Sequence, residues 1–390
     1  MKNLVRWIGV APGLVCLALV VDLAGSAAVK QWKRERTERE TLEAEARQEP
    51  YRNQEWGHRY WEEMNRYRER WESYWIYRLS DRHGEFLNVT NGVRSTYLPR
   101  GSWPGHSHTV FLFGGSAAWG HGARDQATLA SWLARVGEEH GERLDVRNYA
   151  ESGWVNWQGI LYLLEKLTDG ERPDVVIFYS GVNEAMSARL WPQVRRPLYD
   201  GEMTKAALTD WSLGEARPLA RTWDYYRRTS LILSALIPPP GRLPPAPPLT
   251  REALADRTAN EYLADKQAVE TLGNGYGFST MFVWQLTVAS KPVLSAQEQQ
   301  YAGWVPRTPA NTAPIGWWLM DTDLRSFYEV IGKRVSDGGA IDIGSAFVGM
   351  SQTGFIDWMH TAENGNERVA REIYRHLEPK LHQSTPHAHR

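Results

Sequence analysis

Five positions carry the side chains and backbone groups with which this chain could do chemistry: Ser116, Gly153, Asn183, Asp357 and His360. A serine hydroxyl is a poor nucleophile until a base takes its proton, and His360 is placed to be that base. An imidazole works as a base only in one tautomer, which a carboxylate on its other nitrogen fixes. Asp357 stands three residues before His360, close enough for one turn of chain to join the two side chains. Attack on an acyl carbon also creates an oxyanion that needs donors aimed at it. Losing one such donor typically costs about 10²–10³ in rate. The side-chain amide of Asn183 and the backbone N–H groups of Ser116 and Gly153 are candidates for that oxyanion hole.

Four stretches hold these groups. Val110 to Phe113 is a run of β-formers that stops at Gly114-Gly115 and delivers Ser116. Asn148-Tyr-Ala-Glu-Ser-Gly153 follows a second predicted strand, Arg143 to Asn148. Gly181-Val-Asn183-Glu184 follows the apolar run Asp174 to Tyr179. Asp357-Trp-Met-His360 lies beyond a fourth predicted strand, Ser279 to Val288, and a fifth, Ala340 to Ile343. Helical patterns at Gln126–Glu139, Trp157–Leu167, Arg251–Leu272, Leu324–Val335 and Ala362–Leu381 separate or follow the strands. Such alternation predicts a parallel sheet, and ligands bind at the carboxyl ends of its strands. All four stretches can therefore converge.

Taken together, these blocks resemble the SGNH hydrolases, also called GDSL esterases, over roughly Thr109 to Leu381. The resemblance implies an α/β fold: a flavodoxin-like three-layer sandwich on a five-stranded parallel sheet. It also implies Ser116 as nucleophile, His360 as base and Asp357 as orienting acid. The oxyanion hole would come from Ser116, Gly153 and Asn183. Two positions depart from the family pattern: Gly-Gly-Ser replaces Gly-Asp-Ser, and Gly-Val-Asn-Glu replaces Gly-x-Asn-Asp. The other common serine elbow, Gly-x-Ser-x-Gly, does not fit, because Ala118 holds its last position.

The rest of the chain bounds the setting. With 390 residues and a hydrophobic fraction of 42%, it can bury a large core. The net charge of −1 gives no field that favours nucleic acid. The single cysteine, Cys16, excludes an internal disulfide framework. Residues 7–29 are almost wholly apolar and long enough to span a bilayer, which needs about 20 residues, so residues 1–29 read as an uncleaved signal anchor in preference to a signal peptide removed at Ala24 to Ala28. Lys30, Lys33, Arg34 and Arg36 would place the body in the cytoplasm by the positive-inside rule. The resemblance to anchored bacterial members of the family favours an extracytoplasmic body instead.

Residues 30–100 read as a charged and aromatic helical extension. Within it, Lys30 to Gln48 is a solvated helix, and Trp56, Tyr60, Met64, Tyr67, Trp71 and Tyr74 form one stripe that packs on the main domain or a partner helix. Asp81 to Arg100 reads as short β structure. The hydrolase-like domain spans residues 101–383, with an insertion at about 186–250 and a lid-like segment at about 295–321. Residues 384–390 form a disordered tail. His106, His108 and His121 flank the first strand without a carboxylate cluster, so they read as loop histidines and no metal or other cofactor is expected. Glu151 and Glu184 could form a glycosidase-like acid pair, which ranks below the serine constellation because it explains fewer residues.

The sequence thus reads as a membrane-anchored serine esterase that hydrolyses an acyl ester. Its partners would be an ester-bearing small molecule, glycan or lipid, the membrane through residues 7–29, and membrane proteins. An acylated envelope glycan or lipid is the expected substrate. Two alternatives stand beside it: an O-acyltransferase on the same site, or a non-catalytic scaffold of a membrane assembly with a relict hydrolase domain.

Overall fold

The computed structural model of the chain describes residues 2–100, 107–192, 249–302 and 322–382, with a few positions between 195 and 232; side chains are described from residue 17 onward. The chain divides into two compact units, Met1–Glu45 with Thr204–Pro247, and Ala46–Met203 with Pro248–Arg390.

The first unit is described mainly through one long helix, α1 (Lys2–Ala46). Leu17, Val20 and Val21 on it are exposed, and Asp22 accepts hydrogen bonds from Ser26, Tyr226 and Ser230 of the same unit. Further along, Arg34–Glu38 and Arg36–Glu40 pair one turn apart on a solvated surface, as the charged stretch predicts. Among the described residues, no helix is long and apolar enough to cross a membrane. Residues 7–16 of the expected span lie outside the described side chains.

The second unit is a three-layer α/β structure. Its strands are β1 (Glu69–Glu72), β2 (Ile76–Leu79), β3 (Arg82–His83), β4 (Asn88–Thr90), β5 (Val93–Arg94), β6 (Ser107–Gly114), β7 (Arg143–Asn148), β8 (Val175–Ser180) and β9 (Ser279–Trp284). Among the described residues, β3 to β9 form one seven-stranded sheet in the order β3-β4-β5-β7-β6-β8-β9. The strands β7, β6, β8 and β9 run parallel, whereas β3, β4 and β5 join the edge antiparallel. The central strands are continuous apolar runs because both of their faces are covered. Val110–Phe113 and Val175–Phe178 are accordingly fully buried.

Helices α4 (Leu129–Glu139) and α10 (Glu363–Leu381) cover one face. The other face is covered by α5 (Asn156–Thr168), α6 (Val182–Leu190), α7 (Arg251–Tyr276) and α9 (Thr322–Asp337). Each buries a stripe at spacings of three and four, such as Val369, Ile373 and Leu377 on α10.

Three expectations need correction. The sheet is mixed, not a five-stranded parallel one, because short strands before β6 extend its edge. The expected fifth strand, Ala340 to Ile343, is reduced to a single parallel bridge between Ile341 and Val283. There the Asp342 carboxylate accepts the Gly344 N–H at 2.8 Å, a local turn that competes with further pairing. Finally, the aromatic stripe is not one helix. Helix α2 covers only Gly57–Met64, and the β-forming residues after it make the β1–β2 hairpin. Tyr60 and Trp61 are buried in the core, while Tyr74 sits exposed at the hairpin turn. Most of the expected insertion, the segment 303–321 and the tail 384–390 lie outside the described residues; α8 (Ala296–Ala302) opens the lid-like stretch.

Candidate active site

The turn after β6 is shaped by what glycine omits. At Gly114, with φ of 151°, a Cβ would lie 2.1 Å from the Tyr179 carbonyl oxygen of β8. Glycine lets the two strands close at that point and lets the chain swing out to Ser116, which begins the one-turn helix α3 (Ser116–Trp119). As the first helical residue, Ser116 has an N–H with no partner inside the helix. The far end of α3 is held from two sides. Buried Arg94 of β5 donates to the carbonyls of Trp119 (3.1 Å) and Gly120 (2.7 Å) and stacks over the Trp119 ring at 4.1 Å. Asn148 at the end of β7 donates to the carbonyls of Ala118 and Trp119.

The Asn148–Gly153 stretch continues alongside. Glu151 N–H donates to the Gly114 carbonyl at 3.1 Å, which brings the following residues next to the serine turn. Gly153 then takes φ of 73°, a left-handed conformation natural to glycine. The Asn183 side chain reaches the same spot from α6. Its Nδ2 donates to the Trp154 carbonyl at 2.8 Å, which leaves a second N–H on that amide. A Cβ on Gly115 would lie 2.1 Å from this Nδ2. The Gly-Gly-Ser departure is therefore matched by a neighbour: the amide occupies the space that a side chain at position 115 would need.

The Asp357–His360 turn closes the group. Asp357 Oδ1 accepts the N–H groups of Met359 and His360 at 2.8 and 2.7 Å, and its Oδ2 lies 2.6 Å from His360 Nδ1. Across the ring, His360 Nε2 lies 2.6 Å from Ser116 Oγ. Burial opposes the charge on Asp357, but the adjacent imidazole and the Met359 N–H outweigh it and hold the carboxyl below its ordinary value. His360 is buried, and Ser116 is half-buried. Residues 244 positions apart in sequence thus meet in hydrogen-bond contact.

Other candidates fall elsewhere. His108 lies at the opposite end of β6, beside Glu142, and His106 is outside the described residues. Among the described residues, no cluster of three or more His, Cys, Asp or Glu could hold a metal. Glu151 accepts from the N–H groups of Leu79 and Ser152, and Glu184 from Asn156 N–H, so both carboxyls serve the backbone. Burial pushes Glu151 up to about 8 and raises Glu184 as well.

Sequence reasoning missed several supports. Arg94 has no local signature. Nor has the buried Lys291–Glu298 pair, in which Lys291 donates to Gln352 O and Glu298 accepts the N–H groups of Gly354 and Phe355, bracing the turn that carries Asp357. His121 reads in the sequence as a loop histidine, yet its ring packs on His360.

No protein-family model matches the sequence, and no curated protein matches it. Solved structures similar to the chain include the acetyl xylan esterase AlAXEase, at 13% identity and a TM-score of 0.35, covering 69% of this chain and 99% of that one. A lipase/acylhydrolase from Enterococcus faecalis matches at 13% and 0.36, covering 70% and 96%. Axe2, an acetylxylan esterase from Geobacillus stearothermophilus, matches at 11% and 0.36, covering 70% and 95%. At such values the likeness carries no argument about activity, which rests on the residues themselves.

Proposed function

We propose that the chain is a serine hydrolase that cleaves carboxylic esters through Ser116, His360 and Asp357. One observation carries this reading: the unbroken relay from Ser116 Oγ through both His360 nitrogens to Asp357 Oδ2, 2.6 Å at each step. With the Nδ1 proton donated to Asp357, Nε2 is free to accept the serine proton. Ser116 Oγ attacks the acyl carbon as its proton passes to Nε2. The Ser116 and Gly153 N–H groups and the second Asn183 N–H face the resulting oxyanion. Collapse breaks the ester C–O bond, and the leaving alkoxide takes the proton from Nε2. Water then attacks the acyl-serine by the same route and releases the acid. A sugar hydroxyl in place of that water would give the transferase variant. An acylated envelope glycan or lipid is the substrate class that an anchor on residues 7–29 would bring within reach, with the body extracytoplasmic.

Turnover of p-nitrophenyl acetate that disappears in Ser116→Ala and His360→Ala, with melting curves unchanged, is the expected result. Equal turnover in all three proteins rejects the reading, and absence of fluorophosphonate labelling at Ser116 favours the relict scaffold. Retention in the carbonate-washed membrane fraction, lost on deletion of residues 1–29, tests the anchor. A reporter fused after Arg390 tests its orientation.

A further inference from the structure

We propose that His121 is a positioning residue for the His360 base, an inference that rests on the hydrolase reading above. The ring centroids of His121 and His360 lie 4.4 Å apart with their planes inclined at 41°. Among the described residues, the His121 ring nitrogens make no hydrogen bond, so packing alone fixes the side chain. Behind it stands Trp61 of α2, with centroids 5.5 Å apart. Trp61 is 1% exposed and meets the rings of Tyr51 and Tyr60 edge-on, at 5.2 Å each.

The need for such a wall follows from the triad geometry. Hydrogen bonds at Nε2 and Nδ1 oppose rotation of the imidazole about its side-chain bonds, but they bend readily and hold the ring only softly. A second ring packed beside it restricts that rotation, as close packing does in any core. The same segment ties together the loops that carry both rings. Tyr51 Oη donates to the Gly122 carbonyl at 2.6 Å, next to His121, and Gln48 Nε2 donates to the Ile356 carbonyl at 2.9 Å, next to Asp357. The Glu49 carboxylate also accepts the Thr353 hydroxyl.

Charge supports the same role. The ionisable groups that face His121 are His360 and Asp357 on the catalytic turn and Arg94 on β5. Burial, and secondarily the His360 imidazole, push His121 well below its ordinary value, so it stays neutral through the working range. A neutral ring can lie against the imidazolium that forms during acyl transfer, where a second cation would oppose it.

The test compares the full chain with His121→Ala, His121→Phe and His121→Gln, read by kcat and KM on p-nitrophenyl acetate and by fluorophosphonate labelling of Ser116. The alanine variant should lose kcat by on the order of 10- to 10²-fold, the scale of a small misplacement, with KM within about twofold. Phenylalanine, which restores the ring face, should recover most of the loss; glutamine, which restores only polarity, should not. Labelling rates should follow kcat, and melting temperatures identify any variant that loses activity by unfolding. Wild-type kcat in His121→Ala, or rescue by glutamine but not phenylalanine, overturns the positioning role alone. A wild-type chain that neither labels nor turns over overturns both readings.

Discussion

Gly115 gives the sharpest test of the oxyanion hole. Its backbone, φ −88° and ψ −159°, suits any residue, so alanine there introduces no backbone strain. The added Cβ would stand 2.1 Å from Asn183 Nδ2, about 1.3 Å short of the 3.4 Å at which ordinary contact begins. The Trp154 carbonyl already stands 3.4 Å from that point, and the amide is bonded to it at 2.8 Å. Asn183 must therefore swing away and surrender its place. The loss of one oxyanion donor is worth about 2.7–4 kcal/mol, or about 10²–10³ in kcat. Gly115→Ala should show this loss on p-nitrophenyl acetate with little change in KM, since the donor acts in the transition state. Asn183→Ala should match it, and the double variant should be no worse than either, because both remove the same group. Gly115→Asp, which puts a larger side chain at the same point, should be equally slow. A kcat within about threefold of wild type in Gly115→Ala, or fully additive losses in the double variant, would refute the assignment of Asn183.

Other outcomes follow from the same geometry. Asp357→Asn should lower kcat by on the order of 10³–10⁴, because the tautomer of His360 is no longer fixed. Because the folded chain holds Asp357 below its ordinary carboxyl value, this group's stabilisation is present above that value and lost as pH falls through the folded one. The melting-temperature gap between wild type and Asp357→Asn should therefore shrink on acidification. Glu151 behaves oppositely: its folded value is raised from 4.5 to about 8, so wild-type stability should fall relative to Glu151→Gln as pH rises across that interval. Lys291→Ala should cost about 3–5 kcal/mol in urea unfolding, since it strands the Glu298 carboxylate in the interior. Lys291→Met with Glu298→Gln should recover part of it.

Much of this was legible in the chain because it depends on local pattern. The run Asp174 to Tyr179 reads as a buried strand and forms one at Val175–Ser180, and Ser116 follows a strand that breaks at two glycines. Asp357 and His360 were legible as a pair because three residues is one turn of chain. What escaped depends on distant partners. Tyr67, Trp71 and Tyr74 keep helical spacing with Trp56 and Tyr60, yet the β-forming residues Trp71 to Tyr77 pair as a hairpin instead. Ala340–Ile343 has the composition of a strand but stops after one bridge at the Asp342 turn. Arg94 and His121 act through residues brought near only by folding, and no spacing announces them. Gly115 stands out in the sequence, but the reason for it, the Asn183 amide in the space beside it, depends on the fold.

The antiparallel edge formed by β3, β4 and β5 bears on how the protein can be shortened. A fragment that starts at residue 101 would lose all three of these strands and with them the Arg94–Asn148 pairing that joins them to the end of β7. It would also discard Arg94 from behind the serine turn. Expression trials should therefore cut no later than Ala46, where the second compact unit starts.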